Sequence, residues 1–329
     1  MTTAQADVVL ADAPELQACL REAFGGRAVR LSRQEQLKAN VHRLHVEVDG
    51  TERSLVVKRS DPVVARRNWQ VARRWLPAVG LEGVGPPLLG VAAEATGERT
   101  WHVYEDLGGR PLSGERPAKP EVEAAIDAIA RVHTSFAGHS LLRECRLWGG
   151  DRSIHFYSGN LRDADIALRS LDVDRHAGAI DARDTLLERI GELSDGEAYA
   201  ASGPETLLHG DLWPTNMVVT DQRVRLIDWD QAAVGPVWFD VSTFLLRFPA
   251  GERAWILDSY RRAVGRLAGW RLPPEGDLNP ILATAAYARL ASLLVWSVAA
   301  AADEPGWLLE RLTEMCGWLD EVEPVIPSR

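Results

Sequence analysis

Lysine is almost missing from this chain. Of its 37 lysines and arginines only Lys38, Lys58 and Lys119 are lysines. Acids outnumber bases, and the formal net charge is -10. A chain of that balance lacks the basic face of a nucleic-acid binder, so no nucleic-acid partner is expected. The same acidity suits a cationic small molecule. Cysteine is scarce too: Cys19, Cys145 and Cys316 are far apart and odd in number. They make neither a disulfide framework nor a CxxC metal pair, and they fit a reducing, cytoplasmic setting. Long apolar runs are absent. The longest uncharged one, residues 290–302, falls short of the roughly 20 residues that a bilayer span needs and predicts a buried helix. The first residues, "MTTAQADVVLADAP", lack the basic and apolar regions of a signal peptide. No membrane partner is expected.

What is present divides by period. The 329 residues, 46% hydrophobic, suffice for one large domain or two lobes. A helix is predicted after Asp12, a candidate cap with Glu15 three residues on, stopped by Gly25 and Gly26. "HRLHVEVDGTERSLVVKRS" reads as a hairpin turning at Asp49-Gly50. Asp61 and Pro62 then open a helix that Pro77 and Gly80 close. "PPLLGVAA" and "RTWHVYEDL" supply two more strands. Beyond residue 112 the pattern is helical: 119–136, parts of 160–195, 251–268, 280–302 and 306–321. The exception is a pair of short strands, "NMVVT" and "RVRLIDWD", turning at Asp221. The expected division is 1–105, rich in sheet, and 106–329, mostly helical.

Between the apolar ends of "LLHGDLWPTNMVV" lies a loop that carries Asp211 and Asn216. Asp228 ends the second short strand, which returns beside that loop. Two carboxylates and an amide oxygen, without a His or Cys cluster, suit Mg²⁺, which keeps its waters and leans on substrate phosphates. A remaining carboxylate can accept a proton from an attacking hydroxyl. This is equipment for phosphoryl transfer. Lys58 ends the alternating strand "SLVVK" and points inward, where a lysine needs a reason to be.

"HGDLWPTN" and "IDWDQAAVGPVWFDVSTF" resemble the two signatures of the aminoglycoside phosphotransferase and choline kinase group, over about residues 25–300. The resemblance implies an α+β, protein-kinase-like fold of two lobes: a small N-terminal antiparallel sheet with a helix, and a larger helical C-terminal lobe with the catalytic loop and acceptor site. It implies an O-phosphotransferase that uses ATP, or GTP in its place, with Mg²⁺. Asp211 would be the catalytic base, and Asn216 and Asp228 the metal ligands. His209 and Gly210 would shape the loop, and Asp240 would brace it. Lys58 would meet the nucleotide phosphates. The carbonyl of Glu105 and the amide of Leu107 would meet the base, with Tyr104 behind.

Two features depart from the pattern. The turn "QLKANVHRL" contains no glycine. The helix "PVVARRNWQVARRWL" has no acid, although kinase-like enzymes place a glutamate there to pair with the strand lysine. An amide could substitute, another acid could reach Lys58, or the lysine could be held less tightly. Acceptor residues lie beyond the signatures. "LLRECRLWGGDRSIHFYSGN", read as a loop between helices, offers Asp151, His155 and Tyr157, and Asp230 is placed to face the acceptor as well. Against each stands an ordinary packing or solvated role. His42, His45, His102, His133 and His139 show no ligand spacing and read as surface or packing residues. The expected substrate is a hydroxylated small molecule, foremost an antibiotic of aminoglycoside-like kind. The alternatives are a metabolic kinase of choline, homoserine, fructosamine or sugar, and a catalytically weak nucleotide-binding pseudokinase. Monomer and homodimer both remain open.

Overall fold

The computed structural model describes residues 13–172, 177–191, 203–221, 223–267, 278–300, 305–322 and 324–327. The chain divides into two compact units. The first comprises Met1–Pro111 with Asn216–Ala232, and the second Leu112–Thr215 with Ala233–Arg329.

In the first unit α1 (Pro14–Ala23) precedes β1 (Val29–Lys38), β2 (Val41–Val48) and β3 (Thr51–Ser60). With β4 (Leu88–Ala93) and β5 (Thr100–Glu105) these form an antiparallel sheet of order β1-β2-β3-β5-β4. The alternation in β2 and β3 turns Leu44, Val46, Leu55 and Val57 into one core, where Leu16, Cys19 and Leu20 of α1 meet Trp101 and Val103. Asp49 and Gly50 both adopt positive φ, 51° and 75°, which an Asp-Gly hairpin turn requires. The start of α1 has Ala13 at its cap; the expected cap, Asp12, lies outside the described residues. Strand β1 was not foreseen as an element. It is a polar edge strand whose register with β2 shifts twice, so no period of two marks it.

The Asp61 carboxylate caps α2 (Pro62–Gln70), accepting from the amides of Val63 and Val64 at 3.0 Å. The helix runs on through a π-helical turn, Val71–Trp75, into α3 (Leu76–Ala78). A second, three-stranded sheet joins β6 (Arg110–Pro111) to β8 (Met217–Thr220) and β9 (Arg223–Leu226). That pairing moves the division from the expected 105/106 to 111/112 and brings a sequence-distant segment into the first unit. It also explains a glycine: a Cβ on Gly109 would lie 2.3 Å from the Val219 carbonyl oxygen.

The second unit contains α4 (Lys119–Phe136), α5 (Leu142–Trp148), α6 (Ile154–Arg169) and α7 (Ile180–Gly191). After these come β7 (Glu205–Leu208), paired antiparallel with β10 (Ala233–Pro236), and then α8 (Trp238–Leu245), α9 (Ala250–Leu267), α10 (Asn279–Ala300) and α11 (Pro305–Val322). Residues 141–160 are therefore mostly helical, and the expected loop shrinks to the short connection between α5 and α6. Helix α8 escaped notice because all eight of its residues are buried, which leaves no polar face to set a period. Helix α10 is long and apolar enough to cross a membrane, but most of its most apolar window is buried, against α6 and α8. That is the packing of a core helix.

Candidate active site

The hairpin of β8 and β9 builds the first set of groups. Its register pairs Met217 with Leu226, and the Ile227 amide donates to the Asn216 carbonyl at 2.9 Å. Asn216 and Asp228 are thereby held at the open end of one hairpin. Asp228 adopts a left-handed backbone, φ 66° and ψ 57°, which aspartate tolerates better than most residues and which often marks a functional position.

Lys58, near the end of β3, reaches this hairpin. Its ammonium donates to Asp228 Oδ1 and, at 2.6 Å, to Asp230 Oδ1. The side chain is only 11% exposed. Burial works against its charge, but the two carboxylates outweigh that and hold its pKa above the ordinary lysine value. Lys38, at the end of β1, places its ammonium 3.6 Å from Asp228 Oδ2. Asp230 has further partners: Asn68 Nδ2 donates to its Oδ1 at 2.7 Å, and the Arg67 guanidinium donates to its backbone carbonyl. Asp230, expected to face an acceptor, has these donors within its own unit. Its carboxylate is engaged by a buried lysine and an amide.

Beside Lys58, His102 is fully buried. Burial, and then the Lys58 charge, push its pKa down to about 4, so it is a neutral packing residue. Tyr104 stacks on it with centroids 5.8 Å apart. Burial and the carboxylates of Asp230 and Asp228 push its phenol well up. At the expected base-binding stretch, the Glu105 amide donates to the Pro87 carbonyl and the Asp106 amide to the Ser54 carbonyl. Asp106, which the sequence did not single out, anchors the chain on either side of Leu107. Its carboxylate accepts from Ser54 Oγ at 2.6 Å, Arg43 Nε at 2.7 Å and the Gly108 amide at 3.2 Å. Burial would raise its pKa, but these donors hold it below the usual carboxylate value.

The second unit presents the aspartate loop. Gly210 has φ 79°, a conformation that favours glycine. The buried Asp240 carboxylate accepts from the His209 amide at 2.7 Å and the Gly210 amide at 2.9 Å. His133 stands behind it, 3.2 Å from Asp240 Oδ2 and 2.7 Å from the Tyr260 hydroxyl. Burial and then Asp240 push the Tyr260 phenol up. His133, read from sequence as a bland residue, is thus part of the brace. The Asp211 amide donates to His209 Nδ1 at 3.3 Å, and its carboxylate accepts from Arg289 Nη2 at 2.6 Å. Trp213 lies beneath two guanidinium groups, Arg247 at 3.3 Å and Arg289 at 5.5 Å from its centroid. Arginines distant in sequence give no local signal, and Arg289 was not foreseen.

The three expected acceptor residues of the second unit have different surroundings. Tyr157 is 2% exposed, inside the core side of α6. His155 is on the exposed side of that helix. Asp151 spends one oxygen on the Ser153 amide at 2.9 Å and holds the other 3.6 Å from Arg146 Nε, a local helix-start role.

Among the described residues no group of three or more His, Cys, Asp or Glu side chains could hold a metal. The oxygens of Asn216 and Asp228 on one hairpin are a sparse, hard donor set. They fit a Mg²⁺ that brings its own waters and phosphate ligands better than a metal that needs a full protein cage.

The chain matches the model of the phosphotransferase enzyme family over residues 33–275. No functionally curated protein matches it. Among solved structures it resembles an aminoglycoside 2'-phosphotransferase at 14% identity and a TM-score of 0.63, with 94% of this chain and 99% of that one covered. It resembles a macrolide 2'-phosphotransferase from Brachybacterium faecium at 16% and 0.58, with 94% and 98% covered. It also resembles a choline kinase from Cryptosporidium parvum Iowa II at 12% and 0.52, with 95% and 92% covered. These likenesses show the protein-kinase-like fold. The family match, joined to the loop that Asp240 pins, shows that the chain belongs to the phosphotransferase enzyme family, whose members are kinases of small-molecule alcohol groups.

Proposed function

We propose that the protein transfers the terminal phosphoryl group of ATP, or of GTP, to a hydroxyl of a small molecule, foremost a hydroxylated antibiotic. The observation that carries this reading is Asp211 on a loop whose His209 and Gly210 amides donate hydrogen bonds to buried Asp240. Asp211 accepts the proton of the attacking hydroxyl, and its fixed carboxylate holds that hydroxyl in place. Lys58 binds phosphate oxygens as a point charge, and Glu105 and Leu107 hold the base through their backbones. Asn216 and Asp228 hold Mg²⁺, which supplies charge neutralisation to the phosphates when bound. Support comes from what relatives hold. An amicoumacin kinase was solved with AMP-PNP, Ca²⁺ and its antibiotic. An aminoglycoside phosphotransferase was solved with ADP and hygromycin B, and another with GDP. The three scattered cysteines, Cys19, Cys145 and Cys316, suit work in the cytoplasm, as monomer or homodimer.

A metabolic acceptor such as choline, homoserine, a fructosamine or a sugar is the second reading, favoured by the choline kinase likeness. The pseudokinase reading loses its motive, because Lys58 has acidic partners without a glutamate in α2. The test is a mass-spectrometric screen of protein, Mg²⁺ and ATP or GTP against antibiotic classes and these metabolites, looking for the gain of one phosphoryl group. A product that Asp211→Ala abolishes supports the assignment; full turnover by that variant overturns it.

A further inference from the structure

Lys58 is buried, and a buried ammonium is costly unless paired. In kinase-like enzymes the pairing acid stands on the helix after the lysine strand. Here that helix, α2, offers the 6% exposed Asn68, and the acid is elsewhere. We propose that Asp230 is the positioning residue that sets Lys58 for nucleotide phosphates, and that Asn68 does the missing glutamate's work at one remove, by fixing Asp230.

Four hydrogen bonds carry this. One oxygen, Asp230 Oδ1, accepts from both Lys58 Nζ at 2.6 Å and Asn68 Nδ2 at 2.7 Å. The Asn68 amide also donates to the Val64 carbonyl at 3.0 Å, one turn back in its own helix, so its orientation is set. The neighbouring Arg67 binds the Asp230 carbonyl, which fixes the backbone under the carboxylate. The helix thus supplies donors and the loop supplies the acid, the reverse of the glutamate arrangement. A glutamate at position 68 would bring a second negative charge against Asp230; an amide is the group that the position requires. Asp228 also touches Lys58, but it is the carboxylate assigned to the divalent ion. Once it is committed there, Asp230 is the partner that keeps Lys58 in place.

The inference rests on the phosphotransferase reading, so its test separates the two. Calorimetric titration with Mg·ADP and, separately, with adenosine is made on the wild type, Asp230→Asn and the double variant Asn68→Glu/Asp230→Asn. Removing one charge-assisted partner should weaken ADP binding about tenfold and leave adenosine binding unchanged, because adenosine has no phosphate for Lys58. The double variant moves the acid onto the helix and should return ADP affinity to within about threefold of the wild type. The inference is overturned if Asp230→Asn binds ADP like the wild type. Equal loss of adenosine and ADP, or no recovery in the double variant, overturns it as well. A wild type that binds neither ligand overturns the phosphotransferase reading along with it.

Discussion

Arg289 Nη2 donates to Asp211 Oδ1 at 2.6 Å, in a side-chain pair that is largely shielded from solvent (16% and 28% exposed). The same guanidinium reaches the Gly210 carbonyl at 3.4 Å and stands over Trp213. The bond occupies one carboxylate oxygen and fixes the rotation of the other, which suits a base that must meet a hydroxyl from one direction. It also places a fixed positive charge beside the carboxylate proposed as the base.

Arg289→Ala should therefore lower kcat by about 10 to 100-fold, the loss expected for one charged hydrogen bond. The KM for ATP should stay near the wild-type value. Arg289→Lys keeps the charge without the planar fork and should recover only part of the rate. Steady-state kinetics with the acceptor found by the phosphoryl screen would check this. A raised KM for ATP with kcat intact would place Arg289 in nucleotide binding instead.

His102 predicts an acid-labile stability. Its pKa falls from 6.5 to about 4 because it is buried and sits near Lys58. The unfolded chain takes up a proton below pH 6.5, and the folded chain does not until about pH 4. Stability is thus full above pH 6.5 and is lost as pH falls through that window, by at most about 3 kcal/mol for a shift of this size. Urea midpoints at pH 7.5 and 4.5 should differ less for His102→Leu than for the wild type. An unchanged difference would assign the acid sensitivity to other groups.

Much of this was legible because it was local. The Asp49-Gly50 turn, the Asp61 cap and the spacing from Asp211 to Asp228 are all written within short windows, where residue type dictates backbone geometry. The partners of Asp230 were not legible, because sequence shows a carboxylate but not what donates to it. Asn68 lies in another element, and the two meet only when α2 packs near Asp230. His133 and Arg289 were missed for the same reason. The helices of the expected acceptor segment were hidden differently: glycines around residue 149 suggested a loop, while α5 and the start of α6 are too short and mixed in pattern to announce themselves.

The contact of α1 with β4 gives a last prediction. A Cβ on Gly90 would stand 2.5 Å from Cys19 Sγ, inside any allowed separation, and Cys19 belongs to the core under the sheet. Gly90→Ala should thus cost about 1 to 3 kcal/mol through overpacking. Cys19→Ala removes the sulfur in the way, so the double variant should be more stable than the sum of the two single losses implies. The thiol offers a second readout. Burial, and then Glu22, push its pKa up to about 11, so at pH 8 it should resist a thiol reagent in the wild type. In Gly90→Ala the sulfur or the helix must move, and labelling of Cys19 should quicken. Additive urea midpoints, together with unchanged labelling, would show that the sheet yields at β4 and that α1 stays where it is.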